Sequence, residues 1–430
     1  MTITMTNKKF KHIQTINDIS EYELISNGLR VLYKNIPDTG VVTTNITYLA
    51  GSRDEQPGET GVAHMLEHML FKPTKQDLER KEDSGAMQFE REVGVILNAN
   101  TWKDRTTYYF SYGVEHLTRA LTIEAERMRD VVLTDEEFQP ERTNVLSEFD
   151  MYDGDPKFAL SVDMTCTAFH SHGYGHETLG FREDIEAYTI EKLQKFYDHF
   201  YRPNNATLMI IGDVSLDTAL NETGAIFEHL EPEPAVNERA VIVEPKQEGV
   251  RRIEIVRPGT TNILAFGVKH QGFPTKEWFE TMVVFSLLTD GSNSILNKAL
   301  VDTGLASSVT SELEPTRDEN LAMIFITLTK KTDHKKMEAK FMSVINSIDD
   351  EFIKKQLKTI IVKAVTAETF NRDSSLNIAA ELTEYTAAQN WPAYFETEKI
   401  LRNITAKQIK QRIKEMFEDN NMTIGTYKSK

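Results

Sequence analysis

The stretch Gly61-Val-Ala-His64-Met-Leu-Glu67-His68-Met-Leu70 sets two histidines and a glutamate in an otherwise apolar run, a pattern typical of a helix. At 3.6 residues per turn, His64 and His68 lie one turn apart on one face. Two neutral imidazoles at this spacing can bind one divalent cation, most often zinc. Glu67 flanks that face, where a carboxylate can take a proton from a metal-bound water. The same pattern also fits a helix with two capped or solvent-facing histidines.

The residues around this helix favour an open metal site over a closed one. A turn-rich loop, residues 51–60, precedes the motif, and Thr60 is the predicted N-cap. Structural zinc sites usually have four protein ligands and favour cysteine. Because Cys166 is the single cysteine of the chain, a metal site here is expected to be catalytic and to keep one position open.

Length and charge limit the classes of function. A chain of 430 residues predicts two domains of about 200 residues each. Its net charge of −17 argues against nucleic acid as the main partner. The acidic surface either favours cationic or neutral ligands or simply keeps the protein soluble. The first twelve residues contain no apolar signal segment and the chain has no membrane-length apolar run, which predicts a cytoplasmic location.

Two strands are predicted after the motif helix, over residues 93–102 and 106–112, joined by a polar turn. The small and amide side chains of Asn98, Ala99 and Asn100 are compatible with an exposed strand edge. Such an edge can pair with an extended peptide backbone. The same composition also fits an ordinary strand with neighbours on both sides.

Carboxylates and histidines further along the chain offer more metal ligands. A helix opening at Thr134 carries Glu141 and Glu148, which are seven residues apart and therefore share a face after two turns. One of them is the best candidate for a third ligand, although surface carboxylates more often line a solvated face. The loop histidines His170, His172 and His176 suggest a second metal site, but no carboxylate or cysteine completes that pattern.

The chain repeats itself. Residues 189–207 and 405–423 share a helix, an Asn-Asn pair and a strand, and Thr-Asn-Ile recurs at residues 44–46 and 261–263. This predicts two equivalent halves, residues 1–228 and 251–430, joined by a polar linker over 229–250. In the second half, Thr281 and Phe285 stand where the first half has its histidines, so only the first half is predicted to hold the metal.

The two motifs, His64-x-x-Glu67-His68 and Glu141-Arg142-x-x-Val145-x-x-Glu148, together resemble the insulinase/pitrilysin and mitochondrial-processing-peptidase family of zinc metallopeptidases, the inverzincins. Further matching segments run in the same order through the first half: residues 27–31, 51–55, 97–99 and 201–206. The second half resembles the family more weakly, at residues 287–309 and 374–385.

This resemblance implies a role for each matching residue. His64, His68 and Glu148 would be zinc ligands, and Glu67 the general base. Glu141 would orient a ligand histidine. The strand edge formed by Asn98, Ala99 and Asn100 would receive the substrate as an added strand. The implied fold is α+β, with two homologous domains that each pack a mostly antiparallel sheet with helices, forming half of a clamshell.

The resemblance also implies a second subunit, because the chain has the size of one half-shell. Active members carry an Arg and a Tyr opposite the zinc, and this chain has Leu300 and Ser307 at those positions. The implied function is a zinc metalloendopeptidase that cleaves unfolded peptides or one specific precursor inside a dimeric chamber. Its partner would be a homologous zinc-free subunit, with a homodimer as the other possibility. The alternative function is a non-hydrolytic assembly or peptide-binding subunit whose zinc is structural.

Overall fold

The computed structural model describes residues 8–80, 85–237, 242–330 and 332–430. The strands are β1 (Phe10–Ile16), β2 (Ile19–Leu24), β3 (Arg30–Asn35), β4 (Val41–Tyr48), β5 (Ile96–Thr101), β6 (Thr106–Gly113), β7 (Ala206–Gly212), β8 (Arg251–Arg257), β9 (Ile263–His270), β10 (Ala306–Glu312), β11 (Asn320–Leu328) and β12 (Met422–Ser429). The α-helices are α1 (Val62–Met69), α2 (Lys75–Arg80), α3 (Ala86–Val93), α4 (Leu117–Arg129), α5 (Asp135–Asp153), α6 (Pro156–Ala168), α7 (Arg182–Ala187), α8 (Ile190–Phe200), α9 (Leu216–Phe227), α10 (Lys276–Thr289), α11 (His334–Asn346), α12 (Asp350–Phe370), α13 (Ser375–Ala387), α14 (Thr397–Arg402) and α15 (Ala406–Met416). Short 3-10 helices cover Ser52–Asp54, Val114–His116, Pro203–Asn205, Pro234–Asn237 and Trp391–Phe395, and a π-helical turn covers Asn297–Val301.

The first sheet contains seven strands in the order β1-β2-β3-β7-β4-β6-β5. Its pairs are antiparallel except β3 with β7. The hairpin between β2 and β3 turns at Gly28, whose φ of +77° suits a residue without a side chain. Strand β5 lies at one end of this sheet and pairs with β6.

The second sheet contains five strands in the order β10-β11-β9-β12-β8, antiparallel except β12 with β8. This order repeats β5-β6-β4-β7-β3 of the first sheet, including the one parallel pair. The predicted repeat and the α+β fold class, with two mostly antiparallel sheets packed with helices, are therefore confirmed.

Equivalent asparagines make the repeat visible at the level of single atoms. The Asn205 side-chain amide donates to the carbonyls of Leu49 at 3.2 Å and Phe200 at 2.9 Å. The Asn421 amide donates to the carbonyls of Lys269 at 3.1 Å and Met416 at 3.2 Å. In each half, an asparagine thus links the end of a helix to the end of a neighbouring strand.

Contacts between Cα atoms divide the chain into two units that exchange helices. Unit 1 is Met1–Ser147, Glu177–Val241 and Asn371–Ala387, and unit 2 is Glu148–His176, Ile242–Phe370 and Ala388–Lys430. Helix α6, from the first half of the chain, therefore belongs to the second unit, and α13, from the second half, belongs to the first. The division into residues 1–228, a linker over 229–250 and residues 251–430 stays a prediction.

Close packing explains each exchange. Helix α6 approaches the second sheet so closely that a Cβ atom built on Gly425 would lie 2.4 Å from Met164 Sδ. Helix α13 contacts β4 in the first sheet, where Thr43 and Ser375 hydroxyls lie 2.8 Å apart and Asn45 donates to Thr383 at 3.1 Å. Within the described residues, no helix has both the length and the apolar character needed to cross a membrane.

Candidate metal centre

Helix α1 begins at a glycine and is capped by a glutamate from the preceding loop. Gly61 is the N-cap, with a φ of 85°, so the prediction of Thr60 as N-cap was wrong by one residue. The Glu55 carboxylate accepts from the amides of Gly61 at 2.7 Å and Ala63 at 2.8 Å. The Thr60 hydroxyl instead donates to Asp184 at 2.5 Å. A carboxylate at a helix N-terminus satisfies amides that have no partner within the helix.

The apolar face of α1 fixes where its polar side chains lie. Val62, Ala63, Met65, Leu66 and Met69 are buried. The helix packs against α8, β5 and β6. The remaining positions, His64, Glu67 and His68, are only partly buried. The predicted helix is thus present, and His64, Glu67 and His68 share its partly exposed face.

His64, His68 and Glu148 converge in space. One ligand atom from each of the three side chains lies within 4.8 Å of the other two. The two imidazole centroids are also 4.8 Å apart, with the ring planes at 84°. Glu148 lies on α5, fourteen residues into that helix.

The protonation of His64 suits a metal ligand. Burial, together with the neighbouring His68, lowers the pKa of His64 to about 3. The imidazole is therefore neutral near pH 7 and offers a nitrogen lone pair. Two imidazoles and one carboxylate form the donor set that proteins use to bind catalytic zinc. The residues present therefore fit a zinc ion.

Glu141 lies behind the site and not among its converging atoms. Its Oε2 is 3.4 Å from Nδ1 of His68, and its Oε1 accepts from Lys72 at 2.6 Å. Although partial burial alone would raise the pKa of Glu141, hydrogen bonds from Lys72 and Asn144 hold it below its usual range. A carboxylate beside one ring nitrogen orients the imidazole so that the other nitrogen can face a metal. The geometry thus groups Glu148, and not Glu141, with the two histidines. Helix spacing alone left open which of these two carboxylates would do so.

Glu67 contacts the end of strand β5. The Thr101 hydroxyl donates to Glu67 Oε2 at 2.6 Å. Thr101 was not among the residues singled out in the sequence, and neither was Glu55 as a cap. Both act across loops or between elements, so no local spacing reveals them. Glu55 lies within residues 51–55, which resemble the family, and this was the available signal for it; Thr101 lies outside the segments that carry the resemblance.

The predicted strand edge is present in the fold. Asn98, Ala99 and Asn100 lie in β5, the last strand of the first sheet. The Asn98 side chain accepts from the amide of Ala99 at 2.9 Å, and the Asn100 side chain accepts from Arg105. That a peptide pairs with this edge stays a prediction.

The other candidate positions do not form a metal group. Among the described residues, His64, His68 and Glu148 are the one cluster of histidine, cysteine, aspartate and glutamate atoms close enough to hold an ion. In the loop of the second predicted site, His172 lies 3.5 Å from Asp318 and packs on Tyr174. On α10, Thr281 and Phe285 are buried, so apolar packing replaces ligands in the second half.

Family comparisons distinguish the same two halves of the chain. The model described as Insulinase (Peptidase family M16) matches residues 30–181, and the model described as Peptidase M16 inactive domain matches residues 187–361. The chain belongs to the insulinase family, peptidase family M16. The motif residues His64, Glu67, His68, Glu141 and Glu148 lie within the first match. The second covers the half in which α10 carries no ligands.

Similar proteins extend over almost the whole chain. The zinc protease PqqE of Helicobacter pylori is 27% identical over 424 residues, which cover 96% of this chain and 93% of that protein. The crystal structure of a protease from Helicobacter pylori matches with a TM-score of 0.85 at 25% identity, covering 98% of this chain and 99% of that one. The periplasmic protease PqqL of Escherichia coli matches with a TM-score of 0.76 at 17% identity, and there 98% of this chain aligns to 48% of the other.

Proposed function

We propose that this protein is a zinc-dependent peptidase subunit that hydrolyses peptide bonds. The observation that carries the proposal is the convergence of His64, His68 and Glu148 within 4.8 Å, beside a carboxylate that is not needed as a ligand. A purely structural zinc site has no use for Glu67. The relatives named as zinc proteases support the same metal.

Each residue of the site has a separate task in this reaction. His64, His68 and Glu148 would hold the zinc, which when bound supplies Lewis acidity and lowers the pKa of a water ligand to about 7. Glu67 takes the proton from the attacking water and passes it to the leaving amine. Glu141 keeps the His68 ring in the orientation that ligation requires, because it lies 3.4 Å from Nδ1.

The substrate is proposed to be an extended peptide that adds to β5. An exposed strand edge binds through its backbone, so unfolded peptides of varied sequence, or one precursor peptide, fit equally well. Asn98, Ala99 and Asn100 line this edge and would bind the substrate. The proposed location of the protein is the cytoplasm.

Substitutions in two of the carboxylates test the function. Glu67→Gln should keep one zinc per chain and lose about 100-fold or more of peptide-cleaving activity, because the base is gone. Glu148→Gln should lower zinc content, because a ligand carboxylate is lost. Zinc is measured by atomic absorption and cleavage with a fluorogenic peptide library. Glu136→Gln, an exposed position on the same helix, is the control and should change neither quantity.

Two outcomes would contradict the proposal. Wild-type turnover in Glu67→Gln would remove Glu67 from the base role. Stoichiometric zinc without peptide cleavage, both alone and with a homologous subunit, would favour the alternative of a non-hydrolytic assembly or peptide-binding subunit. Leu300 and Ser307 stand where the family resemblance expects an Arg and a Tyr. The absence of these two groups favours the second outcome.

A further inference from the structure

The hydroxyl of Thr101 connects the edge strand β5 to the carboxylate of Glu67. Its Oγ1 lies 2.6 Å from Glu67 Oε2. We propose that Thr101 is a positioning residue, which fixes the Glu67 carboxylate and ties its orientation to the strand edge. The inference rests on the proposed role of Glu67 as the general base. It assigns to the strand a task beyond holding the substrate.

Counting protons fixes the direction of this hydrogen bond. An ionised carboxylate only accepts, so the hydroxyl proton of Thr101 lies toward Glu67. The other hydroxyl nearby is that of Thr106, whose Oγ1 is 3.4 Å away. Thr106 donates its own proton to the carbonyl of Ala50 at 3.0 Å. Thr101 is therefore committed as a donor to Glu67, a charge-assisted bond of the stronger kind.

The backbone holds Thr101 firmly. It pairs with Thr106 across the hairpin. The following residue, Trp102, donates its amide to Arg105 at 2.8 Å and accepts from the amide of Ser52 at 3.1 Å. Threonine is also stiff about χ1, because its Cβ is branched. The hydroxyl thus has a defined place relative to both the strand and α1.

Alternation along β5 separates the residue that faces Glu67 from its neighbours. Ala99 and Thr101 share one face of the strand, and Asn98 and Asn100 share the other. Asn100 contacts Arg105, while Thr101 contacts Glu67. Strand pairing along the edge would order this same backbone, so the orientation of the base becomes sensitive to whether a peptide is bound.

Thr101→Val tests the inference, because valine keeps the shape and removes the hydroxyl. Losing one hydrogen bond to a charged group predicts a fall in kcat of about 10- to 100-fold, with KM changed by no more than about twofold. Thr101→Ser retains the hydroxyl and should recover most of the kcat. Thr310→Val, an exposed position in β10, is the matched control and should behave as wild type. All variants are made in the full chain, with the homologous subunit added if the wild type requires it.

Two measurements besides activity separate positioning from simple support of the fold. Zinc per chain should equal that of the wild type in Thr101→Val. A crystal structure of the zinc-loaded variant should show the Glu67 carboxylate in a changed or mixed rotamer. If Thr101→Val loses zinc, or Thr101→Ser fails to recover kcat, the positioning role is overturned.

The crystal structure also keeps this inference distinct from the proposed function. If the wild type and Glu67→Gln are equally inactive, the proposed function fails. Thr101 is then judged by the Glu67 rotamer alone. An unchanged rotamer in Thr101→Val overturns the inference, and a changed one supports it.

Discussion

At the scale of single residues, the helix that carries the histidines depends on a side chain outside it. Glu55 is 8% exposed and accepts two amides at the start of α1, from Gly61 and Ala63. His64 follows within the first turn. The position of the first proposed ligand is therefore set partly by a carboxylate nine residues earlier in the chain.

Replacing Glu55 should weaken both the fold and the metal site. Glu55→Ala leaves two buried amides without their carboxylate, and loss of such a cap costs about 1–2 kcal/mol in the free energy of unfolding. Urea unfolding measures this cost, and competition with a zinc chelator measures the metal affinity, which should also fall. Glu59→Ala, in the same loop, is the control with little expected effect. An unchanged unfolding midpoint in Glu55→Ala would show that α1 does not need the cap.

At the scale of elements, the exchanged helix α13 is bound to the turn after β5. Arg105, whose side chain is 5% exposed, forms an ion pair with Glu384 of α13. The same guanidinium donates to Asn100 in the edge strand. One arginine thus joins the helix, the turn and the strand to which a substrate is proposed to bind.

Removing the charge of Glu384 should loosen this junction. Glu384→Gln leaves Arg105 buried with a weaker partner, at a cost of about 1–2 kcal/mol in unfolding free energy, kept modest because Glu384 is 30% exposed. Thermal unfolding measures the change. Glu398→Gln breaks an exposed pair with Arg402 and should cost less than about 0.5 kcal/mol. Equal losses of stability in Glu384→Gln and Glu398→Gln would mean that the ion pair of Arg105 contributes no more to stability than an exposed pair.

The sequence predicted those features that depend on neighbours along the chain. The strand pair β5 and β6 and the i, i+4 histidines of the motif helix are all present. The repeat was also visible in the sequence, because the same helix, Asn-Asn pair and strand occur twice. Asn205 and Asn421 occupy matching positions in the structure. These signals are local, or are copies of local signals.

The features that could not be predicted depend on packing between distant segments. Amphipathic periodicity shows that a helix buries one face but not which sheet it covers, so the exchange of α6 and α13 was not anticipated. Glu141 and Glu148 share a helix face, so helix spacing alone could not decide which of them joins the two histidines; only the family resemblance assigned that role to Glu148. Thr101 reaches Glu67 across two elements.

At the scale of the whole molecule, the second half has neither an arginine nor a tyrosine at the two positions where the family resemblance expects them. Leu300 is fully buried in the π-helical turn, and Ser307 is exposed in β10. A homodimer would therefore lack the Arg and Tyr of active members.

We expect full peptidase activity only with a homologous zinc-free chain that supplies the Arg and Tyr. The two chains are purified separately and mixed, and the complex is sized by light scattering while cleavage is assayed. Activity should rise about 100-fold or more on mixing, as expected when groups that act in the transition state are added. Full activity in the isolated chain would refute the need for this partner. A homodimer would be recognised by its mass.

The exchange of helices also constrains the order in which the protein can mature on the ribosome. Unit 1 includes Asn371–Ala387, so the unit that carries the histidines is complete only after these residues, more than 300 positions beyond His68, have been synthesised. Until α13 has emerged, the face of β4 that bears Thr43 and Asn45 lacks its cover. Nascent chains are therefore exposed to chaperones and premature aggregation for longer than a protein whose N-terminal domain closes first.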